Sequence, residues 1–61
     1  MDEKALKREI SRLKKLNVFY FERMLEALRS GNRAEYDGYR LAFEKVTKQI
    51  EDLREALSYD E

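Results

Sequence analysis

Two carboxylate pairs, Glu22 with Glu26 and Glu51 with Glu55, come nearest in this chain to the residue types and spacing of acid–base chemistry. Four residues apart, each pair shares one face of a helix. General acid–base catalysis also needs a pocket in which substrate converges and one of the two pKa values is displaced. Here Lys or Arg accompanies both pairs on faces that read as solvated, so no catalytic residue is assigned. The chain has no histidine and no cysteine, which removes the usual zinc and transition-metal ligands and any disulfide framework. Neither a phosphate-binding glycine loop nor an HExxH-type element occurs. Metal sites inside helical bundles use inward-facing Glu and His, and the apolar stripes of this chain contain neither. No cofactor, no metal and no small-molecule substrate is expected, and the chain reads as a non-enzyme.

The other chemistry on offer is charge. Thirteen basic and thirteen acidic residues cancel, but they are segregated. Residues 1–30 carry eight basic and five acidic side chains, residues 31–61 five and eight. Lys4, Lys7, Arg8, Arg12, Lys14 and Lys15 crowd the first half with only Glu9 among them. Glu51, Asp52, Glu55, Asp60 and Glu61 crowd the far end with only Arg54. In a hairpin those two ends lie side by side, so the blocks are expected to complement each other within the fold. The alternative is that Lys4, Lys7, Arg8, Arg12 and Lys15, with Phe19 nearby, form a basic strip holding an aromatic, as a nucleic-acid-binding face would. Zero net charge and the acidic second half argue against strong phosphate binding.

These side chains are positioned by two apolar stripes. One runs Leu6, Ile10, Leu13, Asn17, Tyr20, Met24, Ala27, the other Tyr36, Tyr39, Phe43, Val46, Ile50, Leu53, Leu57. Both keep the 3–4 alternation that lines one side of a helix. Asp2 is placed to N-cap the first helix and Glu3 to suit its first turn. Ser30-Gly31-Asn32 supplies the break, with Gly31 in the left-handed position and Asn32 with Glu35 as a capping box. Gly38 is a blemish that would place the start of helix two near Asp37 if the loop ran longer. The fold class is therefore all-α: an antiparallel two-helix hairpin, about 3–29 and 33–58, each helix on the order of 40 Å long. Residues 1–61 read as a single domain near the lower size limit for independent folding. The longest apolar run, Val18–Phe21, is four residues, so no membrane span is expected. Met1-Asp2-Glu3-Lys4 lacks the order of a signal peptide, which makes the cytoplasm the default.

Two helices cannot cover all of this apolar surface. From Leu16 to Leu28 the apolar arc of helix one widens, with Phe21, Leu25 and Leu28 on one side and Val18 further round. Small residues at Ala42 and Ala56, with Gly38 and Gln49, flank the stripe of helix two. Such arcs are normally buried by several neighbours, so the hairpin is expected to self-associate as a homodimer into a four-helix bundle. The expected oligomer interface is Asn17, Val18, Tyr20, Phe21, Met24, Leu25, Leu28, Ala42 and Ala56. Asn17, the one polar member of its stripe, is expected to meet its symmetry mate and set register. Phe19, projecting among Arg8, Arg12, Arg23 and Glu26, and Leu41 on the outside of helix two are candidate contacts for a protein partner.

The stretch Gly31-Asn32-Arg33-Ala34-Glu35-Tyr36-Asp37-Gly38-Tyr39-Arg40, followed by spaced Val46, Ile50 and Leu53, resembles a group of small, mostly uncharacterised proteins of tailed bacteriophages. In them a glycine turn leads into Tyr-x-x-Tyr-Arg and an apolar helix. The resemblance covers about residues 31–57 and implies a viral accessory or virion-associated role, in the host cytoplasm or the virion. It supplies no catalytic residue. In architecture alone, the expected dimer is similar to the Rop-like RNA-regulating hairpins of plasmids, which bind RNA through first-helix faces. The function expected from all of this is a protein-interaction or structural module, with an RNA- or DNA-binding dimer as the alternative.

Overall fold

The computed structural model of the chain describes residues 2–59. It contains two helices, α1 (Glu3–Ser30) and α2 (Arg33–Tyr59), and no strand among the described residues. Both helices are built mainly from Ala, Leu, Glu, Lys and Arg, the stronger helix formers, with no proline to interrupt them. α1 begins where Asp2 accepts a hydrogen bond from the Lys4 amide at 3.3 Å, the N-cap expected of it. It ends in a Schellman turn. Gly31 takes φ 71°, ψ 20°, its amide donates to the Leu28 carbonyl at 3.2 Å, and the Asn32 amide donates to Ala27 at 2.9 Å.

Asn32 serves both helices at once. Its side-chain oxygen accepts from the Glu35 amide at 3.1 Å and its carbonyl accepts the first intrahelical bond of α2, from Tyr36. Only this half of the expected capping box forms. The reciprocal half would need the Asn32 amide, which is already bound to Ala27. α2 runs unbroken through Gly38, so the loop is the short Gly31-Asn32 link and not the longer one.

The helices lie antiparallel, since contacting pairs such as Tyr20 with Tyr39 and Asn17 with Thr47 move in opposite directions along the two segments. The particle measures 45 × 14 × 12 Å, one helix pair long and two helices wide. Every residue of both expected stripes is buried or half-buried. The tight part is lopsided. Ile10, Leu13, Val46 and Ile50 form the sealed cluster, with Leu16, Tyr20, Leu53 and Leu57 packed against it, and Leu6 beyond it is 2% exposed. All of these except Tyr20 belong to the half nearer the chain ends. Towards the turn, Ala27 is the one fully buried side chain among the described residues, and aromatic rings fill the space instead.

Candidate functional site

Asn17 sits at the junction between the sealed half and the aromatic half. Its amide nitrogen donates to the Phe43 carbonyl at 3.2 Å and to the Thr47 hydroxyl at 3.0 Å. The Thr47 hydroxyl in turn donates to the same carbonyl at 2.9 Å. A carbonyl can only accept, which fixes the NH2 group towards α2. Both amide protons are thus used inside one hairpin, where they tie α1 to α2. Thr47 was missed at the sequence level. Its signal was a hydroxyl four residues after Phe43, on the edge of the stripe.

Of the remaining residues expected at an oligomer interface, Tyr20 and Met24 are half-buried on the stripe of α1 and Ala42 is half-buried on α2, while Ala56 is exposed. Val18, Phe21, Leu25 and Leu28 are all exposed, Val18 at 56% and Phe21 at 46%. They follow one another at intervals of three, four and three, which places them on one side of α1. Phe21 leans towards α2 and meets Phe43 at 5.9 Å between centroids, and Leu28 borders a hollow that Tyr36 of α2 also lines. A single partner helix leaves the broad arc uncovered, as its width requires.

Phe19 is half-exposed but not isolated. The Arg23 guanidinium lies 5.2 Å from its ring centroid, and Tyr20 meets its edge at 5.6 Å. Both partners belong to α1 itself, so the ring keeps its outer side open. Leu41, 62% exposed, borders a hollow of about 840 Å³. That hollow is walled by α2 residues alone, so it is a dip along one helix and lacks the convergent walls of a small-molecule site.

The expected complementarity of the charge blocks does not take the form of ion pairs between helices. Among the described residues every salt bridge is local: Lys7–Glu3, Arg12–Glu9, Arg33–Asp37, Arg40–Glu44 and Lys48–Asp52. The seam between the helices is taken by apolar side chains, so the charges project outward beyond bridging distance. Exposed helical pairs of this kind contribute about 0.3–0.5 kcal/mol each. Asp60 and Glu61, part of the expected acidic block, lie outside the described residues. Lys7 and Arg12 of the basic strip are held by their own helix, while Lys4, Arg8 and Lys15 are exposed without a salt bridge among the described residues.

No charged or polar side chain is buried among the described residues. No three His, Cys, Asp or Glu side chains among them group as metal ligands would, and no described helix is long and apolar enough to cross a membrane. Compared with models of protein families, with curated proteins and with solved structures, the chain matches none.

Proposed function

We propose that this chain is a non-enzymatic interaction or structural module that works as a small homo-oligomer, two hairpins closing into a four-helix bundle. One observation carries this reading: the hairpin leaves Val18, Phe21, Leu25 and Leu28 exposed as one continuous face. No carboxylate is buried among the described residues, which supports the non-catalytic part. The resemblance to small tailed-phage proteins adds a viral accessory or virion-associated setting. Sedimentation equilibrium or light scattering tests the core of the proposal. The purified chain should have about twice its 7.4 kDa mass and a melting temperature that rises with protein concentration. A monomer that melts cooperatively at millimolar concentration would end this reading.

A second reading, a dimer that binds RNA or DNA through the outer face of α1, is favoured by the local character of the ion pairs. With no described bridge to α2, Lys4, Arg8 and Lys15 keep their charge available to phosphates. Its test is binding to mixed RNA and duplex DNA at low salt. Affinity should fall steeply with added salt, by roughly one power of the salt concentration for each phosphate contacted. Undetectable binding at low salt removes this reading.

A further inference from the structure

We infer that copies of this hairpin stack side by side, the basic outer face of α1 in one copy docking on the acidic outer face of α2 in the next. The contact uses neither the exposed apolar stripe of α1 nor the hairpin seam. It therefore goes beyond the bundle proposed above and stands or falls apart from it.

Two rows of side chains carry the contact. On the side of α1 turned away from α2, Lys4, Arg8, Arg12 and Lys15 recur at intervals of four, four and three. The same line continues through Phe19, Arg23 and Glu26. On the side of α2 turned away from α1, the row read from its C-terminal end is Glu55, Glu51, Lys48 and Glu44, then Leu41, Asp37 and Arg33. All of these side chains are exposed. Each row lies opposite the apolar stripe of its own helix, so the two look out from opposite sides of the hairpin.

The rows match member for member. A second copy laid beside the first in the same orientation sets its α1 antiparallel to the first copy's α2. Lys4 then meets Glu55, Arg8 meets Glu51 and Lys15 meets Glu44. Nearer the turn Arg23 meets Asp37, and Glu26 meets Arg33, so both rows change sign at the same level. Phe19, 45% exposed, meets Leu41, 62% exposed, which sets the apolar members of the two charged rows against each other. One displacement serves all of these pairs, a slide of about one helical turn, roughly 5 Å, along the rod. Only Arg12 and Lys48 meet as like charges, and each already has an acid on its own helix, Glu9 and Asp52.

Other arrangements are less complementary. Turning the neighbour end for end sets Lys4 beside Arg33 and Glu26 beside Glu55. Antiparallel overlap of α1 on α1 sets Arg8 beside Arg23 and Lys15 beside itself, and that of α2 on α2 sets Asp37 beside Glu51 and Glu44 beside itself. Every copy carries both matching rows, so the occupant is a further copy. Because the rows face opposite ways, the contact is heterologous and does not close on two copies. Exposed ion pairs are individually weak and screened by salt, so the stack depends on ionic strength.

Sedimentation velocity of the concentrated chain tests this. At roughly 10 mM salt the native chain should spread to species larger than its high-salt form, and at about 1 M, where the screening length falls from about 30 Å to about 3 Å, the larger species should vanish. Reversing the α1 row (Arg8→Glu with Lys15→Glu) or the α2 row (Glu44→Lys with Glu51→Lys) should each abolish growth at low salt. An equimolar mixture of the two variants should restore it, because each reversed row then finds its complement on the other chain. The same change of net charge made off the row, Lys7→Glu with Lys14→Glu, should leave growth as in the native chain. Helical circular dichroism checks that every variant is folded. A native chain that does not grow at low salt, folded reversals that grow like the native chain, or a mixture that fails to recover overturns the proposal. So does equal loss in the off-row variant, which would make net charge the cause, or loss of growth on nuclease treatment, which would give the α1 row to nucleic acid. The mass at high salt reads the bundle separately: a monomer there with growth at low salt removes the bundle and keeps the stack.

Discussion

Replacing Asn17 separates a residue that works within the hairpin from one that works between copies. The Asn17 amide protons meet the Phe43 carbonyl and the Thr47 hydroxyl, and both acceptors have another bond without it, since Thr47 donates to Phe43. Asn17→Leu therefore strands no polar group. It removes two hydrogen bonds, each contributing about 0.5–1.5 kcal/mol net. It also adds a half-buried leucine, which returns about 1–2 kcal/mol of apolar burial. The stability of this variant should lie within about 1 kcal/mol of the native chain. Asn17→Asp keeps the shape but reverses the sign of the contact, setting a carboxylate oxygen against a carbonyl oxygen that can only accept. That should cost about 2 kcal/mol, or about 8–16 °C in a chain of this size. Thermal unfolding followed by circular dichroism at one fixed protein concentration reads both values, and sedimentation reads assembly. Asn17→Leu should leave the stoichiometry as it is in the native chain. If Asn17→Leu changes the oligomer while Asn17→Asp melts like the native protein, the bonds to α2 do not govern this residue. Its partner would then lie in another copy.

Substitutions at three further positions follow from the same geometry. Gly38→Ala should stabilise the chain by about 0.5–1 kcal/mol, because an added Cβ meets no atom within 4 Å; a fall in melting temperature would mean that another helix passes close to that point in the assembly. Gly31→Ala should destabilise by about 1–2 kcal/mol, since its φ of 71° crowds any Cβ, and Gly31→Asn should lose less; equal loss in both would show that the left-handed turn is not the cause. Ile50→Ala should cost about 2–4 kcal/mol, as Ile50 belongs to the sealed cluster with Ile10, Leu13 and Val46. Urea denaturation showing less than about 1 kcal/mol would mean that this cluster does not hold the hairpin together.

Most of the hairpin was legible in the residue pattern, because two kinds of local signal agree. The 3–4 alternation chose which residues of each helix face inward. Asp2, Gly31 and Asn32 placed the ends within a residue of where they fall, since caps act through bonds spanning only two to five residues. The expected surplus of apolar surface was legible for the same reason: the arc from Leu16 to Leu28 is wider than one helix can cover, whatever its partner. What required the third dimension was which of its available partners each polar group takes. The Asn32 amide was free to join a capping box until the Schellman turn took it. The charge blocks were expected to complement each other across the hairpin, and among the described residues every ion pair falls within one helix. Asn17 is the clearest case. Its place in the stripe marked it as a register residue between copies, but only the approach of Thr47 and the Phe43 carbonyl from the other helix gave its amide protons partners within the hairpin. Periodicity is a property of one helix alone, whereas a hydrogen bond depends on the distance and angle between two, and that distance exists only once they have packed.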